Sequence, residues 1–505
     1  LTAPNAFSEY LKNAGVTELP KGFVDHTFPR EKPPKLHQII GLNNCLTRNK
    51  WGLFDDTGTG KTRILQAVAL YYIQWGNRVI GVMPPILFNG FIEALHEDFP
   101  GFDKYVNLVK FTSKAKRDKT FERLDNGENI NLILMTYETF LIEKDRLKEH
   151  VFSVVLTDEA QKLRVADSDF YSGIYNYTDN EDTALVVATG TPIFHTPLDG
   201  YAMTNIVTRD MYKTYAGYKR RYCDRSFFRI PMRRGRRVIK VRVEKITGYK
   251  NLEEMHKNLY ANASRVEKDD VWSLKEPRIV RKRVEMSAAH RKVYSQMANE
   301  RMLELPDDRV ITARQAVQLR EHLMGIACNP HLYTDKAVTD NLFILLQQLL
   351  AEIGGDSKVI IYAHHNQTVE SLYDRLEEHK PALIYGGERR SNVSNAKEEK
   401  RFRKDYSCRI LCANPESAGV GLNFQHVCHD VIFYEPTSIH GKFSQAMDRV
   451  HRGGQKHVVM VYLFNLLGTV YPKMIDAMLD NSDRAGIVNC DKSTFSKWIY
   501  GDESR

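Results

Sequence analysis

The chain has 505 residues, 42% of them hydrophobic, and a formal charge of +9. A single core rarely grows past roughly 250–300 residues, so the length excludes a one-core protein and the apolar content excludes wholesale disorder. The charge excess is modest and points to an anionic partner, while no apolar run approaches the ~18–20 residues that span a bilayer.

The N-terminal stretch, residues 1–24, is read as an extension. Leu1-Thr2-Ala3-Pro4-Asn5 lacks the basic start and apolar core of a signal peptide, so a soluble protein of the cytoplasm with no membrane partner is expected. From 25 to 210 short apolar runs alternate with helical patterns. They are Arg78–Met83, Leu132–Met135, Phe152–Leu156 and Ala184–Ala188. Runs of this kind, closed by polar or turn residues, read as parallel strands covered by helices on both faces. Ligands of such sheets bind at the carboxyl ends of the strands.

Chemistry-bearing residues stand at those ends. Thr57-Gly58-Thr59-Gly60-Lys61-Thr62 precedes an amphipathic helix pattern with Ile64, Leu65, Val68 and Leu70. Glycines let backbone N–H groups close around a phosphate, and a helix N-terminus adds a favourable dipole. Lys61 would neutralise the β- and γ-phosphates of ATP, and Thr62 would place its hydroxyl on Mg²⁺. Asp55 stands where the strict pattern has its first glycine. Asp158-Glu159 follows the run ending at Leu156. One carboxylate there can hold Mg²⁺, and its neighbour can orient or deprotonate an attacking water; a solvated acidic turn is the plainer alternative. Thr189-Gly190-Thr191-Pro192 follows the next run and suits a sensor of phosphate state. Upstream, Gln38 carries an amide able to read an adenine edge.

Residues 211–329 are read as a basic insert and helical linker. Lys219 to Arg242 holds eleven Lys or Arg and one acid. Arg233-Arg234-Gly235-Arg236-Arg237 between alternating flanks predicts a β-hairpin with Gly in the turn. Phosphate-backbone contact by Arg233, Arg234, Arg236 and Arg237 is the functional expectation, and a solvated loop the alternative. Tyr215, Tyr218, Tyr222, Phe227 and Phe228 lie close by, either to stack on bases or as core of a small subdomain.

From 330 to 470 the strand-and-helix alternation returns, with Lys358–Tyr362, Ala382–Tyr385, Arg409–Ala413, Asp430–Tyr434 and Val458–Tyr462 as strands. Cys428, with His426 and His429, fits no common zinc spacing. The seven scattered cysteines form no C-x-x-C pair and read as free thiols. Gln445 to Gln455 contains Arg449 and Arg452, three apart and expected on one helix face, where guanidinium groups suit stabilisation of a transferring phosphoryl group. Residues 471–505 are read as a short helical tail.

Taken in order, these motifs resemble the SNF2 branch of superfamily 2 helicase-like ATPases, over about 440 residues from Leu36 to Thr469. Asp55 to Thr62 is similar to that branch's Asp-Glu-Met-Gly-Leu-Gly-Lys-Thr, Gln38 with Gly41 and Asn43 to its Gln-x-x-Gly-x-Asn, and Thr136-Tyr137-Glu138 to its Thr-Tyr-Glu. Glu416 to Asn423 resembles Gly-Gly-x-Gly-x-Asn, and Gln445 to Gln455 resembles Gln-Ala-x-Asp-Arg-x-His-Arg-x-Gly-Gln. Gln161 departs from the usual His, and Tyr471 stands where the branch carries an acid. The resemblance implies two RecA-like α/β lobes in tandem, with the basic insert between them. It implies ATP and Mg²⁺ as cofactors, with Gly421 at the nucleotide and Thr136 and Gly419 at nucleic acid. It implies that Arg449 and Arg452 reach the nucleotide held by the first lobe. The expected activity is that of a monomeric translocase on double-stranded or branched DNA. The compact chain looks like phage or bacterial members. A strand-separating helicase on DNA or RNA is the alternative, and an inactive binding scaffold a third.

Overall fold

A computed structural model describes residues 33–101, 105–234, 237–305, 310–313, 316–334, 337–355, 357–386, 392–415, 423–437 and 439–479. The chain divides into two compact units, one running to Glu267 and the next starting at Lys268. Each is built on a parallel sheet, as the alternating pattern predicts.

The first sheet has seven strands. In spatial order they are β3 (Leu108–Lys110), β4 (Leu132–Met135), β2 (Val79–Val82), β5 (Val154–Thr157), β6 (Ala184–Ala188), β1 (Lys50–Leu53) and β9 (Ala263–Ser264). Alternate residues feed two cores. Ile80, Val82, Val155, Leu185 and Val187 pack in one cluster, whereas Val79, Val154, Leu156, Ala184 and Val186 pack in the other. Fully burying each such side chain contributes roughly 1.5–3 kcal/mol, which is why these strands are apolar on both faces.

Three strands escape the sequence pattern: β1, β9 and the three-residue β3. β1 has few apolar residues and Gly52 interrupts it. The glycine is required because a Cβ there would stand 2.7 Å from Ala263 Cβ of neighbouring β9. β9 itself is two residues long, too short for any periodicity.

The second sheet has six strands, ordered β10 (Arg278–Glu285), β17 (Met460–Leu467), β16 (Cys428–Phe433), β13 (Lys358–Tyr362), β15 (Ile410–Ala413) and β14 (Ala382–Ile384), all parallel. Val359 and Ile361 face one core, Ile360 and Tyr362 the other. β10 lies in the stretch expected to be a helical linker. Its sequence, Arg-Ile-Val-Arg-Lys-Arg-Val-Glu, hides the strand because charge dominates it. That charge suits an edge, where Lys and Arg discourage further strand pairing.

The basic stretch forms the expected hairpin: β7 (Cys223–Arg234) pairs antiparallel with β8 (Arg237–Tyr249). A smaller antiparallel pair, β11 (Met302–Glu304) and β12 (Val310–Thr312), lies in the second unit. Residues 471–479 are helical. Tyr471 is fully buried and its hydroxyl donates to Met324 O at 3.2 Å, so the position that departs from the SNF2 pattern is spent on the core. The described cysteines are free and buried. No helix among the described residues is long and apolar enough to cross a membrane.

Candidate active site

Between β1 and the helix α2 that follows it, residues 54–60 form a tight loop. Gly58 and Gly60 have φ of 81° and 97°, a left-handed region that glycine enters without steric cost. Helix α1 (Leu36–Thr47) lies against the loop, and α2 (Lys61–Gln74) springs from Gly60. A Cβ on Gly60 would fall 2.1 Å from Gln38 Nε2, so α1 sits directly over the loop. Gln38 Oε1 accepts from Lys35 N at 2.9 Å, and the neighbouring His37 Nε2 lies 2.7 Å from Thr59 O. Sequence reasoning singled out Gln38 and passed over His37.

Lys61 is buried and donates to the carbonyls of Asp55 and Asp56 at 2.7 and 2.8 Å. Burial lowers its pKa, opposed by the charges of Asp55 and Asp158. Asp55 is itself 1% exposed, and burial raises its pKa against the pull of Lys61. Thr59 Oγ1 donates to Asp56 O at 2.7 Å. Arg265, just beyond β9, pairs with Asp56 at 2.6 Å and donates to Phe54 O at 2.9 Å. It buttresses the loop from some two hundred residues away and left no local signal in the sequence.

The ends of β5 and β6 meet this loop because β5, β6 and β1 are adjacent in the sheet. Thr62 Oγ1 stands 3.5 Å from Asp158 Oδ2. Asp158 is 7% exposed, and its pKa is pushed up to about 6 by burial and by Glu159, with Lys61 pulling it down. Tyr137, the first residue of the helix α3 (Tyr137–Lys148), donates its buried hydroxyl to Asp158 O at 3.0 Å. Glu159 holds φ of 49°, a conformation that non-glycine residues adopt at a cost, and its N–H donates to Asp158 Oδ1 at 2.9 Å. Thr189 donates to Gln161 Oε1 at 3.3 Å. A Cβ on Gly190 would lie 2.6 Å from Thr57 Cγ2 and 3.5 Å from Lys61 Nζ. The first unit thus brings together Gln38, Thr57–Thr62, Asp158, Glu159 and Thr189-Gly190.

Thr136 N-caps α3, its Oγ1 accepting from Thr139 N at 3.1 Å. A capping role accounts for the hydroxyl locally.

In the second unit, helix α4 (His440–Met447) ends before the two arginines. Arg449 and Arg452 therefore lie in the turn that follows, not on one helix face as their spacing suggested. Just beyond Arg452, Gly454 has φ of 97°, and a Cβ on Gly453 would strike the Trp272 ring at 2.3 Å. Phe424 N donates to Arg449 O at 2.8 Å, and Arg449 is 5% exposed. Arg452 donates to Asn423 Oδ1, and burial followed by the charge of Arg449 lowers its pKa to about 10. Gln455 Nε2 caps Cys428 O at 2.9 Å, and Asp448 pairs with Lys268. Gly419 and Gly421 lie outside the described residues, as does Arg236. The hairpin backbone carries Arg233, Arg234 and Arg237 in register. Of the aromatics beside it, Tyr218 and Tyr222 are core, whereas Tyr215, Phe227 and Phe228 are exposed.

A glycine-bounded loop capped by a buried lysine, with a carboxylate pair at the end of β5, defines a helicase-like ATPase lobe, and a second parallel-sheet lobe follows it in the chain. The family model described as the SNF2-related domain matches residues 37–332, and that described as the helicase conserved C-terminal domain matches 341–454. The chain belongs to the SNF2-related family. It is 23% identical to a chromodomain-helicase-DNA-binding protein 3 homolog of Caenorhabditis elegans, over 72% of this chain and 20% of that protein. It is 23% identical to the CHD3-type chromatin-remodeling factor CHR7 of Arabidopsis thaliana, over 87% of this chain and 36% of that protein. A Caenorhabditis elegans homolog of SWI/SNF-related matrix-associated actin-dependent regulator of chromatin subfamily A-like protein 1 is 23% identical over 95% of this chain and 64% of its own length. The chain thus spans less than two thirds of each of these relatives. Among solved structures, the Sulfolobus solfataricus SWI2/SNF2 ATPase core in complex with dsDNA aligns over 94% of this chain and 98% of that one, at 19% identity and a TM-score of 0.39.

Proposed function

We propose that the chain is an ATP-driven translocase on DNA, hydrolysing ATP at the loop Asp55–Thr62. The observation that carries this reading is the convergence of Thr62, Asp158 and Lys61 at the carboxyl ends of β1 and β5. Family membership supports it, and the DNA-binding name of one relative agrees in kind.

The residues present fit Mg²⁺. A buried carboxylate and a hydroxyl 3.5 Å apart are hard oxygen donors. Asp158 and Thr62 would hold the ion, which when bound neutralises phosphate charge. Backbone N–H groups of Thr57 to Gly60 and the start of α2 would grip the phosphates, and Lys61 would leave its carbonyl partners to meet them. Glu159, held by its strained backbone beside Asp158, would accept a proton from the attacking water. Gln38 would read the adenine, and Arg449, Arg452 and Gly421 would complete the nucleotide's contacts. Thr136, Gly419 and the arginines Arg233, Arg234, Arg236 and Arg237 would serve the DNA.

The test is ATP turnover with and without DNA. DNA stimulation that Lys61→Ala or Glu159→Gln abolishes is expected. Turnover that survives both substitutions overturns the mechanism.

A further inference from the structure

The hairpin carries a feature beyond the arginines near its turn. β7 has twelve residues, so at ~3.3 Å per residue the ribbon is an arm on the order of 40 Å long. Its root is anchored. Tyr218 and Tyr222 are buried in the first unit's core, Glu244 receives Lys219 at 2.6 Å and Arg225 at 2.9 Å, and Lys250 meets Asp224 at 3.2 Å. Past the root, Ser226, Phe227, Phe228, Arg229, Lys240 and Arg242 are exposed. A two-stranded ribbon without a packed face is marginal in water, and charge makes this one worse. Residues 223–249 hold nine Lys or Arg against two acids.

The register sharpens this. Phe227 pairs with Glu244 and Arg229 with Arg242, so side-chain alternation puts Arg225, Phe227, Arg229, Lys240, Arg242 and Glu244 on one face. Glu244 is committed to Lys219 and Arg225. Arg229 and Arg242 stand directly opposite each other, a like-charge pair that destabilises a ladder. Among the described residues no carboxylate lies within ion-pair distance of either arginine or of Lys240. The Arg242 guanidinium instead lies 3.9 Å from the centre of the Phe227 ring, which remains 45% exposed.

We propose that this face is a DNA-gripping surface for the sugar-phosphate backbone of duplex DNA. Arg229 and Arg242 flank one phosphate, Lys240 meets the next, and the Phe227 ring holds the Arg242 guanidinium in place. A phosphate between the opposed arginines converts their repulsion into binding free energy. Recognition is by charge and shape, hence neutral to sequence, and a two-stranded ribbon has the width that a major groove admits. The inference rests on the reading of the chain as a DNA motor and gives that motor a second grip outside its ATP loop.

The test uses the whole protein and a labelled duplex, with affinity measured across a salt series. Each phosphate contact contributes about 0.9 to the slope of log affinity against log salt. The Arg229→Ala/Arg242→Ala variant is expected to lower that slope by about 1–2, with a melting temperature unchanged or slightly raised because the repulsion is gone. Arg229→Lys/Arg242→Lys should retain the slope. Lys116→Ala/Lys119→Ala, which removes two exposed lysines from the helix Lys114–Asp125 away from the ribbon, should also retain it. An unchanged slope in the double alanine variant or an equal fall in the Lys116/Lys119 variant overturns the proposal. ATP turnover of the unmodified protein keeps the two ideas apart. Without DNA stimulation the motor reading fails; with stimulation and an unchanged slope, the ribbon inference alone fails.

Discussion

Thr62 Oγ1 and Asp158 Oδ2 stand 3.5 Å apart although 96 residues separate them in the chain. β1 delivers the threonine and β5 the aspartate, with β6 between the two strands. Asp158 is nearly buried beside a second acid, so its charge needs a cation to be stable there. Asp158→Asn should lower ATP turnover by about 10²-fold or more, the scale of losing one group that acts on developing phosphoryl charge. Thr62→Ser should retain activity, and Thr62→Val should raise the Mg²⁺ concentration needed for half-maximal turnover. Chelation of Mg²⁺ should stop turnover of the unmodified protein. Rate measured against Mg²⁺ concentration decides, and a Thr62→Val curve that overlays the unmodified protein's would remove the hydroxyl from the metal site.

Gly190 shows how closely the end of β6 approaches the loop between β1 and α2. A methyl group there would meet Thr57 Cγ2 at 2.6 Å and Thr57 N at 3.1 Å. Gly190→Ala should therefore cost about 1–3 kcal/mol by overpacking and weaken binding of a fluorescent ATP analogue. Adding Thr57→Ser deletes the methyl that is struck first, so the double variant should recover part of the loss. Equal melting temperatures for Gly190→Ala and the unmodified protein would show that the loop yields freely.

Much of this was legible in the sequence, and the exceptions share a cause. β2, β4, β5 and β6 feed a core on each face, so burial wrote itself into their composition. β10 does not: five of its eight residues face water at a sheet edge, and its charge masks its period. The arginines Arg449 and Arg452 were found by spacing, but their spacing suggested a helix, and the helix there has already ended at Met447. Arg265 was invisible because its partners, Asp56 and Phe54, are near only in space. Local pattern reports burial and turns, whereas such tertiary pairings have no period to betray them.

Gln161 illustrates the same limit at a position where the SNF2 pattern carries His. Its amide oxygen accepts from Thr189 at 3.3 Å, so the carboxylate strand end and the Thr-Gly-Thr turn are joined without an imidazole. If that bond relays nucleotide state, Gln161→Ala should leave DNA-independent hydrolysis largely in place and reduce the DNA-stimulated increment by about 2–10-fold, the worth of one hydrogen bond. Thr189→Val should do the same, and the double variant should be no worse than either, since both cut one link. Additive losses in DNA-stimulated turnover would count against the relay.

His365, after β13 in the second unit, should make stability depend on pH. Its Nδ1 meets Glu435 Oε1 at 2.5 Å, and its Nε2 meets Glu321 Oε2 at 2.9 Å. Burial opposes its protonation, but the two carboxylates outweigh burial and raise its pKa to about 9, against an ordinary value of 6.5. His364 beside it is instead pushed down by burial. A folded-state pKa above the unfolded one means that the folded protein binds the extra proton more tightly. The stabilisation is therefore complete below about pH 6.5 and is lost as pH rises through about 9. A shift of this size corresponds to a contribution on the order of 3 kcal/mol. Urea midpoints should fall between neutral and alkaline pH for the unmodified protein. His365→Gln can still hydrogen-bond but carries no charge, so it should be less stable at neutral pH and much flatter above it. Parallel curves for the two proteins would mean that the imidazolium charge does not hold Glu435 and Glu321 together.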